Sequence, residues 1–197
     1  VRDAVGASVD VMVDCHWRLT EAAAAGVLRA LEPEGIYWLE CPLVEDDASL
    51  PALKRLRSLA NGLGTRLAGC ESMTGVDAFR AFLDAGAYDA IMPDVKYAGG
   101  LAELLRIAEE AGRRSVACSP HNPTGPIAHL ASVRASASIA SLPFLEFQYG
   151  ESPLFFDIVA GAMPDPRGGS SEVPRGAGLG AGLDPAKLDA LAADGAS

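Results

Sequence analysis

The chain is short of basic residues, of histidine and of aromatics, and it has no long apolar run. Sixteen Lys and Arg stand against 26 Asp and Glu, a formal net charge of −10. No basic stripe is available to neutralise phosphates, which argues against a nucleic-acid partner. No stretch approaches the ~18 uninterrupted apolar residues of a membrane span, so no membrane partner is expected. The opening VRDAVGASVD has neither the basic n-region nor the apolar h-region of a secretory signal. Four cysteines include no CxxC pair, so a zinc or redox site is not indicated. Cys15, Cys41 and Cys70 each adjoin an acidic residue that closes a strand-like run. Adjacent strand residues face opposite ways, so these thiols should pack outward as small hydrophobes and not form disulfides. A reducing, cytoplasmic setting is expected.

What the chain does have is a recurring unit. Asp14, Glu40, Glu71, Asp94, His121 and Glu146 lie 23 to 31 residues apart. Each closes a short apolar stretch: VDVMVD (9–14), IYWLE (36–40), TRLAGCE (65–71), YDAIMPD (88–94), SVACSPH (115–121) and PFLE (143–146). Ala- and Leu-rich amphipathic segments of helical length fill the intervals. Thr20 is a plausible cap for the first, Pro51 opens the second, Gly86 ends the third, Gly99-Gly100 opens the fourth, and Ile127, Leu130 and Val133 mark another. A strand, a helix and two short loops need about that many residues, so the repeat is a βα unit. Polar groups closing successive parallel strands face one mouth, where α/β barrels keep their chemistry.

Six strands do not close such a barrel, which takes eight. An open doubly wound sheet could use six, but polar groups at every strand end favour the barrel over a single switch point. About two strands with their helices are therefore expected to precede Val1. Residues 1–150 read as a partial barrel domain. From 151 to 197 Gly, Pro and Ser dominate, and only DPAKLDALAADG reads as a helix. Such a stretch is either a functional extension packed on another domain or a flexible linker.

Asp14, Glu40 and Glu71 close three consecutive strands. Carboxylates converging at one mouth repel one another unless a hard divalent cation lies between them, and oxygen-only ligation suits Mg²⁺ or Mn²⁺. Taken singly, each could instead cap a helix or sit in a solvated loop. Asp94 and His121 close the next two strands, and a carboxylate bonded to an imidazole makes a general base near neutral pH. His16, two residues past Asp14, should share its face. His129 lies inside a helix and reads as structural, Lys96 is given no catalytic role, and Trp17 and Trp38 read as packing.

VDCHWRL, YWLECP, AGCES, MPDVKYAGG, SPHNPTGP and FLEFQYGE, in this order from about Val9 to Asp157, resemble the barrel half of the enolase superfamily, in its mandelate racemase branch. The resemblance implies the C-terminal portion (strands 3 to 8) of a TIM-like (β/α)7β barrel, with the capping domain and first two strands outside this chain. The Gly/Pro-rich segment 151–197 would then pack on that capping domain. It implies a bound Mg²⁺ held by Asp14, Glu40 and Glu71, with Asp94 and His121 as the catalytic dyad. Glu146 would hydrogen-bond the carboxylate of the intermediate. The Asp-x-His at Asp14 and His16 is similar to that of acid-sugar dehydratases, where His16 would act as general acid. The implied activity is abstraction of the α-proton of a hydroxycarboxylate, foremost dehydration of an acid sugar to a 2-keto-3-deoxy acid by a homo-oligomer. Racemisation or epimerisation of a 2-hydroxy acid is the alternative within enzymes, and an inactive barrel fragment the alternative outside them.

Overall fold

The computed structural model describes residues 1–195 apart from 151, 162, 165 and 167. A short helix α1 (Arg2–Val5) leads into β1 (Met12–Asp14), α2 (Glu21–Leu31), β2 (Trp38–Glu40), α3 (Leu50–Gly62), β3 (Arg66–Gly69), α4 (Val76–Ala85), β4 (Ala90–Ile91), α5 (Leu101–Arg113), β5 (Ala117–Cys118) and α6 (Pro126–Ser136). The strands pair in chain order, β1 to β5, and every pairing is parallel. Sequential order with a helix in each crossover is the winding of an α/β barrel, whereas a doubly wound sheet reverses at a switch point. The five strands form part of such a barrel.

The sixth expected strand does not form. Residues 143–146 run beside β5 without a ladder. Ser119 Oγ donates to the Phe144 carbonyl at 2.8 Å, and Asn122 holds Glu146 through its backbone and side-chain N–H groups. Pro143 has no N–H to offer a neighbouring strand, and side chains supply the bonds in its place.

Strand parity sorts the apolar residues into two layers. Leu39, Leu67 and Ile91 face the helices and join Leu28, Phe79 and Ile107 in the main core, which also takes in Cys70 and Cys118, with Cys15 packed against it. Cys41 is buried but stands apart from that core, its sulfur beside Asp14 and Glu40. Trp38, Ala68, Ala90 and Met92 line the inner side of the arc. All four cysteines are free thiols. The helix ends follow the local chemistry. Thr20 Oγ1 accepts from Ala23 N at 3.3 Å, Pro51 lies in the first turn of α3, and Gly86 takes a left-handed φ of 65° after α4. In α5, Leu104, Ile107, Ala108 and Ala111 form one buried stripe. None of the described helices is long and apolar enough to cross a membrane.

α6 departs from its expected single stripe. His129 to Val133, Ala135 and Ser136 are all buried, while Ile127 lies at an exposed margin. Its other side is covered by the C-terminal segment, which forms α7 (Leu154–Asp157), the antiparallel pair β6 (Val159–Ala160) and β7 (Gly182–Leu183), and α8 (Pro185–Gly195). Arg134 Nη2 donates to the carbonyls of Pro174 and Gly176 at 2.8 and 2.9 Å. Gly180 comes so close that a Cβ there would lie 2.8 Å from the same nitrogen. The expected last helix forms as α8, and Asp184 Oδ1 caps it by accepting from Ala186 N and Lys187 N.

At the end of the strands opposite the mouth, Asp89 ties three elements together. It accepts from Arg57 Nε (2.7 Å), Asn61 Nδ2 (2.9 Å) and Leu67 N (2.9 Å). Asp89→Ala is expected to cost about 2 kcal/mol in urea unfolding, a value discounted for partial solvent exposure, because a charged group and two amide donors lose their partner. Magnesium titration of the variant should match the unaltered protein, since the clamp is remote from the mouth.

Candidate active site

Asp14 and Glu40 are the last residues of neighbouring strands, paired in register. Their carboxylate oxygens and the Cys41 sulfur all lie within 4.8 Å of one another, the geometry of a metal-capable group among the described residues. Glu71, the third acid of the expected trio, lies just outside that group. It is instead buried beside it, with Oε2 3.7 Å from Cys41 Sγ and 3.8 Å from His121 Nε2. Cys41 does not compete as a ligand for a hard cation. Burial and the carboxylates of Glu45 and Glu71 hold its thiol protonated, far above the ordinary thiol value.

Glu40 carries the mark of uncompensated charge. Burial, then Asp14, Glu71 and Glu146, push its carboxyl up to about 8, against a 3.0 Å bond from Trp38 Nε1 that favours the charged form. Among the described residues, no Lys or Arg pairs with Asp14, Glu40, Glu71 or Glu146. Hard oxygen donors with no cation of their own are a donor set that fits a divalent ion.

The path by which Glu71 reaches this mouth is unusual. Along β3, Leu67 faces the helices and Ala68 the inner side. Simple alternation would turn Cys70 inward and Glu71 outward. Cys70 instead adopts a left-handed φ of 74°, which resets the parity: the thiol packs in the helix layer and Glu71 is freed towards the mouth. Glu45 stabilises this turn. Its Oε1 accepts from Cys70 N and from Tyr88 OH, each at 2.7 Å. Burial raises the Glu45 carboxyl above the usual range, while the Tyr88 and Cys70 bonds oppose that shift. Nothing in the sequence singles out Glu45, because in PLVEDDAS it reads as one of three acids in a solvated loop.

Glu45→Ala would leave a buried N–H and a buried phenol without a partner, at a cost of about 2–4 kcal/mol. The same variant should weaken metal binding by loosening Glu71, read by Mg²⁺ titration. Gly69→Ala should act alike, because its Cβ would lie 2.3 Å from Glu45 Oε1. Metal affinity unchanged in both variants would remove Glu45 from the site.

The Asp94–His121 pair forms as expected. His121 Nδ1 lies 2.9 Å from Asp94 Oδ2, and Asp94 is almost wholly buried. An ionised Asp94 accepts the Nδ1 proton, which leaves Nε2 with its lone pair on the side of Glu71. Burial lowers the His121 pKa, but the Asp94 bond and the charges of Glu146, Glu71 and Asp94 outweigh it, so the net shift is upward from 6.5. Lys96 takes no part: its backbone N–H donates to Asp94 Oδ1, while its Nζ lies over the Tyr97 ring.

His16 differs from the expectation in how it is placed. It follows β1 in a left-handed turn (φ 52°) and is not carried on the strand face. Its Nδ1 is 3.2 Å from Asp14 Oδ2, and more than half of the side chain is exposed. Glu146 lies at the other side of the mouth, where Oε2 accepts from Asn122 N at 2.7 Å. Trp38 is packing and more, since its indole also bonds Glu40.

Fold and mouth together define a class: a portion of a parallel α/β barrel with acids and a histidine at the C-terminal ends of its strands. The chain belongs to the enolase C-terminal domain-like family, whose model matches residues 1–187. It is 31% identical over 194 residues to the D-gluconate dehydratase of Thermoproteus tenax, covering 98% of this chain and 38% of that protein. It is also 31% identical over 192 residues to the D-galactonate dehydratase of Ralstonia nicotianae, covering 94% of this chain and 49% of the relative. Among solved structures, an enolase of the mandelate racemase subgroup from Agrobacterium tumefaciens superposes with a TM-score of 0.84 at 32% identity, covering 96% of this chain and 50% of that one. A mandelate racemase/muconate lactonizing enzyme from Jannaschia sp. CCS1 gives 0.86 at 29%, covering 96% and 47%. The chain thus spans about half or less of the proteins it matches.

Proposed function

We propose that this chain carries the catalytic mouth of a Mg²⁺-dependent acid-sugar dehydratase, which removes the proton α to a carboxylate and expels the neighbouring hydroxyl to give a 2-keto-3-deoxy acid. The observation that carries the reading is the Asp94–His121 pair, its carboxylate buried and its imidazole half-buried, whose Nε2 lies 3.8 Å from Glu71 beside Asp14 and Glu40. The names of the dehydratase relatives support the same choice.

Asp14, Glu40 and Glu71 would hold the cation. When bound, it supplies positive charge to the substrate carboxylate, on which negative charge grows as the α-proton leaves. His121 Nε2 takes the C2 proton, and Asp94 orients and stabilises the imidazolium that results. The electron pair left at C2 forms a bond to C3 as the C3–O bond breaks. His16 gives its proton to the departing hydroxyl, so water leaves and the enol becomes the 2-keto acid by tautomerisation. Glu146, its Oε2 fixed by Asn122, presents its other oxygen to the substrate carboxylate.

Incubating the intact protein with a panel of aldonic acids and Mg²⁺ in D₂O tests the proposal. A keto acid is the expected product. Deuterium at C2 of an otherwise unchanged skeleton would instead establish epimerisation, and neither outcome with any acid would leave an inert barrel portion.

A further inference from the structure

Glu146 has no strand to hold it, and what holds it is a buried polar chain. Asn122 and His129 are each at least nine-tenths buried. The Asn122 backbone N–H donates to Glu146 Oε2 (2.7 Å), and its Nδ2 donates to the Glu146 carbonyl (2.9 Å). The same Nδ2 lies 2.8 Å from His129 Nδ1, and His129 Nε2 lies 3.2 Å from the Pro164 carbonyl.

These contacts fix every proton. A carbonyl only accepts, so a flipped Asn122 amide would set oxygen against the Glu146 oxygen, and the amide nitrogen must face it. His129 Nδ1 is then an acceptor, and its ring proton resides on Nε2, where it donates to Pro164. Burial favours this neutral ring. Phe147 and Phe155 pack against the ring at centroid distances of 5.3 and 5.5 Å, which joins the residue after Glu146 to the C-terminal segment.

We propose that Asn122 and His129 are positioning residues: they fix Glu146 at the catalytic mouth and register the C-terminal segment against it at Pro164. The proposal rests on the reading of Glu146 as a group that meets substrate. It goes beyond that reading by making the C-terminal segment part of what holds the active site. The two ring nitrogens serve different ends of the chain, so substitutions separate them. In His129→Asn an amide oxygen can stand in for Nδ1, in His129→Gln an amide nitrogen can stand in for Nε2, and His129→Leu supplies neither.

The first measurement uses the unaltered intact protein: ¹⁵N chemical shifts of the histidine rings. A neutral His129 protonated at Nε2 is expected at pH 7, and a proton on Nδ1 overturns the proposal without any variant having to fold. The second is amide hydrogen exchange. His129→Leu should speed exchange in both 144–149 and 154–164, His129→Gln chiefly in the first and His129→Asn chiefly in the second; equal protection in all variants overturns it. The third is turnover of an acid sugar, where His129→Leu should lower kcat about 10- to 100-fold with Mg²⁺ affinity unchanged, and His129→Asn should recover most of the rate. A kcat unaffected by His129→Leu overturns the link to Glu146. Should the unaltered protein turn over no acid sugar, the dehydratase reading fails, while shifts and exchange still decide the polar chain.

Discussion

His121→Asn is expected to abolish turnover, by about 10²- to 10⁴-fold, without loss of fold or of metal binding. The asparagine amide can still donate towards Asp94, so the buried carboxylate keeps a partner, but no atom remains that can accept a proton from carbon. Exchange of the substrate C2 hydrogen with D₂O should vanish together with elimination, because both begin with the same proton transfer. An enzyme crippled elsewhere in the reaction would keep the exchange. In the unaltered protein the imidazole must be neutral to act, and its surroundings raise its pKa above 6.5. The rate should therefore fall as pH drops through a value above 6.5. A variant that retains wash-in of deuterium would show that another group is the base.

Glu40→Gln is expected to move stability and metal binding in opposite directions. In the metal-free protein Glu40 titrates at about 8 against an ordinary 4.5. A carboxyl whose folded value is raised stabilises the fold most below the unfolded value, and that stability is lost as pH rises from 4.5 to about 8. In chelator, the unaltered protein should lose melting temperature across this window, and Glu40→Gln should flatten the slope and melt higher at pH 8. Mg²⁺ should stabilise the unaltered protein and release close to one proton per ion at pH 7, seen by calorimetry in buffers of differing ionisation enthalpy. The variant should bind Mg²⁺ at least 100-fold more weakly and release no such proton. If the variant were less stable than the unaltered protein in chelator at pH 8, crowding of negative charge at the mouth would be the wrong account.

Much of this mouth was legible because barrels write it in a simple code. Asp14, Glu40, Asp94 and His121 each follow a strand-like run, and parallel strands in sequential order bring such residues to one end. Other features escaped because their cause is not periodic. Alternation alone would have turned Glu71 the wrong way, and the left-handed Cys70 that corrects it leaves no trace in the pattern. His16 was assigned to the face of Asp14 by the same alternation, yet a left-handed turn places it. Pro143 breaks the ladder that PFLE suggests. Glu45 stands among other acids in PLVEDDAS, yet it is half-buried and holds Cys70 N and Tyr88 OH. The stripe drawn on α6 underestimated its burial because one side of it is covered by residues after 150, where composition offers no period to read.

The way α6 is enclosed bears on how the molecule is made. His129 and Arg134 find their partners at Pro164, Pro174 and Gly176, stretches the ribosome has not yet delivered when the helix itself emerges. A nascent chain halted near residue 150 would display an unshielded apolar helix, and the step that hides it waits for the stretch carrying Pro164, Pro174 and Gly176 and for its loop closure. Synthesis beyond Gly176 is thus the point at which this helix acquires its lid.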